Sequence, residues 1–361
     1  MELALYHPTD GYYTRPGMST GRRADFSTSS DVSPAFGRRI AVQLAQFQEM
    51  LGGEGWRLVE LGPGRGLLMT DLLDGLARHA TRALETLTEV LLVERSPSLR
   101  ALQHEQLAEA VVPLRWVDSL AELGEKSLRG VIIGNEFLDA LAVRLVVRRE
   151  YGRLVERVVT VDSNGALRLE DGDEVPERLA HLVERYGLCP EIGDSAELCL
   201  VIEQVIAQID RVLEAGAALF IDYGMSAEEL AAPSHAAGTL VGYYEQRVVL
   251  DPLARPGRQD LTAHVNWSQL KELAQEVGLR FAGQTAQDRF LLALGLAEDM
   301  IAPQPPAQES LMELEERLAA RSLMMPGAGG GKRFDVIAFT RGIEGEMAGF
   351  QRSFPCSRSS E

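Results

Sequence analysis

The stretch Arg57-Leu58-Val59-Glu60-Leu61-Gly62-Pro63-Gly64-Arg65-Gly66 constrains this chain more than any other. A short apolar run ends in an acidic residue and a glycine turn, and a helical pattern starts directly behind it. The stretch reads as a buried strand that delivers the backbone into a tight turn. Glycine has no Cβ, so a ligand can lie against bare backbone there. Dinucleotides and S-adenosylmethionine are the two ligand classes that use such turns. The dinucleotide fingerprint needs G-x-G-x-x-G. Here glycines fall at 62, 64 and 66, and Leu67 stands where the third would be required. The spacing favours S-adenosylmethionine, with a nicotinamide-dependent oxidoreductase as the weaker alternative.

From Leu58 onward, strands and helices alternate. The strand 57–61 leads into a helix over about 66–79. Val90–Val93 ends at Glu94, with a helix opening near Ser96-Pro97. Leu114–Val117 ends at Asp118, and Val131–Ile133 ends at Asn135-Glu136. After a helical stretch at 198–215, the strand 217–221 ends at Asp222-Tyr223-Gly224. This is the pattern of an α/β fold, doubly wound around a mostly parallel sheet. Ligands of such sheets sit outside the carboxyl ends of the strands, where Glu60, Glu94, Asp118 and Glu136 each place a carboxylate.

Two insertions interrupt the core, which spans 54–340. The first, 141–197, carries a β-hairpin from 144–148 and 154–159, with a second hairpin turn at Ser163-Asn164-Gly165. The second, 225–266, hangs over the same face of the sheet. It ends at Asn266, which with Gln269 predicts a capping-box start to a helix. Residues 298–320 read as an exposed helix, and 341–361 as a disordered tail. An N-terminal helical and loop segment, 1–53, precedes the core. Within it, 6–32 reads as either a surface connection or a substrate loop. Ser33-Pro34 opens a helix, with Ser33 as its cap and Pro34 in first position, and Gly52-Gly53 ends it.

A length of 361 residues allows one large domain or two smaller ones. The net charge of -17 argues against a nucleic-acid partner. It suits a basic partner such as an arginine-bearing protein, or solubility alone. Cys189, Cys199 and Cys356 show neither metal-ligand spacing nor a disulfide framework. No apolar run approaches the ~20 residues that span a bilayer, and no signal peptide opens the chain. These features predict a cytoplasmic protein. Met1–Tyr6 reads as a helix already under way, as though the natural start lay upstream. His-x-x-x-His and Walker A patterns are lacking, so a metal site and a P-loop have little support.

S-adenosylmethionine presents an amino acid, a ribose and an adenine. Backbone at Gly62, Gly64 and Gly66 can approach the methionine portion, and Glu60 can brace the turn or meet the ammonium. Glu94 can accept both ribose hydroxyls, and Asp118 can reach the adenine amino group. Asn135 joins this cofactor set. The acceptor needs its own groups. A guanidinium is protonated throughout the physiological range, with a pKa above ~12, and wants carboxylates to orient it. Glu136 and Asp139 share one loop, and Asp25 and Asp260 can add to them from flanking loops. Asp139 reads equally well as a helix cap.

Several motifs together resemble one family: Tyr6-His7-Pro8 with Gly11-Tyr12-Tyr13, Asp25-Phe26-Ser27-Thr28, Ser33-Pro34-Ala35-Phe36-Gly37, Val59–Gly66, Asn135–Ala140 and Asp260–Val265. They resemble the MidA family of class I methyltransferases, from the first residues to about Phe339. The family's mitochondrial members are complex I assembly factors that act as protein arginine methyltransferases. The resemblance implies a Rossmann-like seven-stranded sheet and S-adenosylmethionine as cofactor. It also implies a protein acceptor, such as a respiratory-complex subunit, and symmetric dimethylation of its arginine. Departures at Ala24, Ser30 and Ala142 bear on the N-terminal loop and leave the cofactor motif intact. Without a mitochondrial presequence the chain looks bacterial. An assembly chaperone that keeps the cofactor pocket with little turnover is the alternative from another functional class.

Overall fold

The computed structural model describes residues 1–15, 28–301, 310–325 and 334–351. The central sheet takes its strands from the apolar runs: β1 Trp56–Leu61, β2 Leu87–Val93, β3 Leu114–Val117, β4 Leu128–Asn135, β5 Leu213–Met225, β6 Arg280–Ala286 and β7 Phe334–Arg341. They lie in the order β3-β2-β1-β4-β5-β7-β6. β1 to β5 run parallel, and β7 is antiparallel to both its neighbours. An eighth, two-residue strand, Val265–Asn266, adds beside the end of β5. The chain reverses its direction of winding between β1 and β4, so the ligand crevice of an open parallel sheet belongs there.

Alternate residues of the inner strands serve the two faces. Val131 and Ile133 of β4, with Ala217, Leu219 and Ile221 of β5, meet Phe36, Ile40, Leu44 and Phe47 of α1 (Ala35–Met50) and Leu72 and Leu76 of α2 (Leu67–His79). On the other face, Ile132, Ala218 and Phe220 meet Ile202, Ile206 and Ile209 of α4 (Val201–Val212) and Leu270 and Ala274 of α5 (Trp267–Glu276). The fifth core helix, α3 (Pro97–Gln106), follows β2.

Several boundaries differ from the sequence reading. Pro34 caps α1 and Ala35 is its first residue, while the Ser33 hydroxyl accepts from the Ala35 amide at 3.2 Å. Asn266 caps α5 through two amides, but Gln269 donates to the Cys199 carbonyl at 3.0 Å, so the reciprocal half of the expected box does not form. The stretch 198–215 divides. Ser195–Leu198 pairs with Arg144–Arg148, α4 follows, and β5 already begins at Leu213.

The first insertion is a four-stranded antiparallel sheet that contains the expected hairpins, with the helix Glu177–Arg185 packed on it. The second forms a three-stranded sheet from Val241–Tyr244, Arg247–Val249 and Asp260–Thr262. The expected disorder of 341–361 does not hold for its first part. Ile343 and Met347 are buried, and the Gly349 amide donates to Gln43 of α1 at 2.9 Å. Phe350 stacks edge-on against Phe290 at 5.2 Å. Apolar side chains at short spacing give this segment a groove to fill; residues 352–361 lie outside the described residues. Of the 298–320 stretch, 302–309 lie outside the described residues, and the expected exposed helix is present as Leu311–Ser322, anchored at its two flanks. Asp299 and Glu298 hold the buried Arg39 of α1 at 2.8 and 3.0 Å, and Ala320 is buried.

Candidate active site

A cavity of about 660 Å³ opens outside the carboxyl ends of β1, β2 and β4. Glu60, Gly62, Gly64, Glu94, Asp118, Asn135, Glu136 and Asp139 all line it. Residues far apart in sequence are therefore brought to one place. Gly66 does not line it; it sits at the head of α2 with φ +85 and turns the chain into the helix. Asp25 lies outside the described residues.

Gly62 and Gly64 have φ of +61 and +53, a region that costs other residues about 1–2 kcal/mol. The Gly62 amide donates to the Val93 carbonyl at 3.1 Å, which ties the turn to β2. A Cβ at Gly64 would meet nothing within 4 Å, so its backbone is bare toward the cavity. Behind the turn, Glu60 is 2% exposed, and its Oε2 has no hydrogen-bond partner. Burial, helped by nearby Asp71, pushes this carboxyl up to about 8. Asp71 is itself pushed up to about 7 by burial.

Glu94 follows β2. Its Oε1 accepts from the Ser96 amide at 2.7 Å and its Oε2 from Gln103 at 3.4 Å, while burial raises its pKa. Gln103, fully buried on α3, also donates to the Gly64 carbonyl at 2.7 Å and so braces the glycine turn and Glu94 together. The sequence reading missed it. A glutamine four residues after Leu99, on the inward face of the helix, was the available signal. Asp118 stands differently. Its side chain is 72% exposed and ion-paired to Arg100 at the cavity's edge.

The opposite wall is acidic. Glu136 leaves β4 with φ +50, a strained conformation for a residue with a side chain. Its Oε1 accepts from the Ser29 amide and from Asn135, both at 3.4 Å, and its Oε2 is sequestered without a partner. Burial, and then Asp139, hold its pKa well above the carboxylate range. Asp139 caps no helix, because residues 136–143 form turns and irregular chain before the strand Arg144–Arg148. Its Oδ2 accepts from the Tyr223 hydroxyl and from Thr262 at 2.6 Å. Asp222, fully buried at the end of the β5 core run, accepts from the Leu138 and Asp139 amides at 2.9 and 3.3 Å. It fixes the shape of the acidic turn. The strand-end rule that selected the other four acids applies to Asp222 too. Asp260 completes this wall and accepts from Tyr13 at 2.8 Å. Among the described residues, the cations lining the cavity are paired with other residues of its rim: Arg65 with Asp31, and Arg95 with Glu2 at 3.5 Å and the Tyr6 ring at 4.6 Å.

These features fit S-adenosylmethionine. A bare glycine backbone, an unpartnered buried carboxyl at Glu60 and a carboxylate braced at Glu94 are the three kinds of group its parts require. The fold and this cavity define a class I S-adenosylmethionine-dependent methyltransferase. A family model for S-adenosyl-L-methionine-dependent methyltransferases matches residues 39–285. A crystallised Burkholderia thailandensis protein bound to S-adenosyl-homocysteine superposes with a TM-score of 0.84 at 33% identity, covering 97% of this chain and 89% of that one. A native crystal structure of a protein from the same organism gives 0.80 at 32% identity, covering 97% and 88%. The rat mitochondrial protein arginine methyltransferase NDUFAF7 is 30% identical over 318 residues, 82% of this chain and 70% of its own. The zebrafish protein of that name is 28% identical over 323 residues, 83% of this chain and 73% of its own. The chain belongs to the MidA-like family of S-adenosylmethionine-dependent methyltransferases.

Proposed function

We propose that this enzyme methylates a guanidinium nitrogen of a protein arginine. The observation that carries the reading is the wall opposite the glycine turn. Glu136, Asp139 and Asp260 converge there, with Asp222 behind them and the nearby arginines already engaged. Such a wall favours a cationic acceptor over a neutral one. The name carried by the NDUFAF7 relatives supports the same acceptor.

In this reading Gly62 and Gly64 cradle the methionine portion, and Gly66 sets the turn. Glu60 faces the ammonium, Glu94 the ribose hydroxyls, and Asp118 the adenine edge, with Asn135 closing the floor. The cofactor supplies an electrophilic methyl on a sulfonium, already a good leaving group. The protein's part is positioning, which alone can lower a barrier by several kcal/mol, up to ~11. Asp139, held by Tyr223 and Thr262, orients the guanidinium from a fixed position. Glu136 holds the proton that the alkylated nitrogen releases, a role its raised pKa suits. Asp25 is assigned to the acceptor side with them. The resemblance extends the proposal to a respiratory-complex subunit as acceptor and symmetric dimethylation of its arginine, and the cysteine pattern fits a cytoplasmic setting.

Proteome-wide mass spectrometry of methylarginine, in cells with and without the gene, tests the reading. At least one arginine should be methylated only when the gene is present. Loss of a methyl mark from another residue type, with every arginine site retained, would move the acceptor away from arginine.

A further inference from the structure

We propose that residues 1–15 form a strap coupling the cofactor side of the cavity to the acceptor side, with Tyr13 as its positioning residue. The inference rests on the assignment of Glu94 to the cofactor and Asp260 to the acceptor. Tyr13 uses its two polar ends in opposite directions. Its carbonyl accepts from the Ser96 hydroxyl at 2.7 Å, and the Ser96 amide donates to Glu94 at 2.7 Å. Its phenol donates to Asp260 at 2.8 Å. A continuous chain of hydrogen bonds therefore links Glu94, Ser96, Tyr13 and Asp260.

Parallel ties flank that chain on both sides. Toward the cofactor loop, Ser98 donates to the Thr14 carbonyl at 3.4 Å, and Arg95 lies 3.5 Å from Glu2. Toward the acceptor wall, Arg15 donates to the Gly257 carbonyl at 3.0 Å and the Tyr6 hydroxyl to the Ala140 carbonyl at 3.5 Å. A Cβ at Gly257 would stand 2.1 Å from the Asp10 carbonyl, so the strap and the second insertion pack backbone against backbone. Leu5, Tyr12 and Leu261 form one small buried cluster, which makes the strap and the strand Asp260–Thr262 a single packed unit. A ligand that fixes the Glu94–Ser96 loop thus fixes the carbonyl on which this unit hangs. Asp260 is then held where the acceptor arrives, and by reciprocity the acceptor strengthens cofactor binding.

Hydrogen–deuterium exchange with S-adenosyl-homocysteine as the probe tests the strap without turnover. In the wild-type protein, the ligand should slow exchange at 94–99. It should also slow exchange at 257–262 by about tenfold, within the usual range of intersite coupling. Tyr13→Phe keeps the ring and the carbonyl and removes only the phenol. It should retain protection at 94–99 and lose it at 257–262, and Asp260→Ala, which removes the acceptor, should behave alike. Protection at 257–262 that is absent from the wild type, or that survives both substitutions, overturns the strap. Missing protection at 94–99 in the wild type overturns the cofactor assignment of Glu94, and the strap with it.

Discussion

The two halves of the cavity are built by different means. The cofactor half is largely backbone: three glycines within five residues, a strand-end acid on either side, and one buried glutamine bracing the turn and Glu94. The acceptor half is made of side chains from four distant segments. Asp139 is held by Tyr223, 84 residues away, and by Thr262, 123 residues away, while Asp260 is held by Tyr13, 247 residues away. A backbone cradle serves a cofactor of fixed shape. A side-chain wall can be rewritten residue by residue, which suits the part that selects the acceptor.

If the halves are separable, Glu136→Gln gives the largest effect. It keeps the size of the side chain and removes the carboxyl that takes up the proton of the transferring nitrogen. Methyl transfer should fall by about 10²–10³-fold, the scale of losing one group aimed at developing charge. Calorimetry should find the affinity for S-adenosyl-homocysteine within about twofold of wild type, since a loss confined to the transition state leaves ligand binding alone. An equal loss of ligand affinity would break the separation. A chaperone with a relict pocket would have no wild-type transfer to lose and would keep its partner in either form.

The glycines test where the halves touch. Gly62→Ala and Gly64→Ala each force a side chain into the left-handed region, at φ +61 and +53. The strain is about 1–2 kcal/mol each, so ligand affinity should drop about 5–30-fold as the turn relaxes out of its binding shape. Only at position 62 would the new Cβ press on the acceptor turn, 2.9 Å from the Phe137 ring. The KM for an arginine-bearing substrate should therefore rise in Gly62→Ala and stay level in Gly64→Ala.

Glu60 makes the cofactor half sensitive to pH. Burial holds its carboxyl near 8, so below that value it carries a proton that binding an ammonium must expel. Affinity for S-adenosyl-homocysteine should strengthen by about fivefold between pH 7 and 8, because the ionised fraction of a carboxyl near 8 rises from about a tenth to about a half. Glu60→Gln should flatten the dependence. The sign for stability is opposite. The folded state keeps a proton that the unfolded chain loses near its ordinary value of ~4.3, so the stabilisation present below that value is lost as pH rises toward 8. Thermal melts of the ligand-free protein would check this against the same variant.

The same contrast explains what the sequence made legible. The glycine turn and the acids at the ends of β1, β2 and β4 could be placed because each signal lies within a few residues of a strand end. Asp222 obeyed that rule and was passed over, because a single buried carboxylate among apolar residues shows no partner in sequence. Asp139 looked like a cap because its real partners, Tyr223 and Thr262, come from other elements. Residues 343–351 looked disordered for a similar reason: the groove they fill belongs to α1 and the helix Gln287–Ala293.

The smallest effect belongs to Asp118, where the backbone account of the cofactor half is most exposed to failure. Its side chain is 72% exposed and shared with Arg100, so a hydrogen bond to an adenine there must compete with both water and an ion pair. Exposed pairs of this kind contribute about 0–1 kcal/mol. Asp118→Asn should therefore change affinity for S-adenosyl-homocysteine by less than about fivefold. A loss several times larger would place Asp118 beside Glu94 as a side chain on which cofactor binding depends. The cofactor half would then owe its affinity to the same kind of side-chain wall that builds the acceptor half.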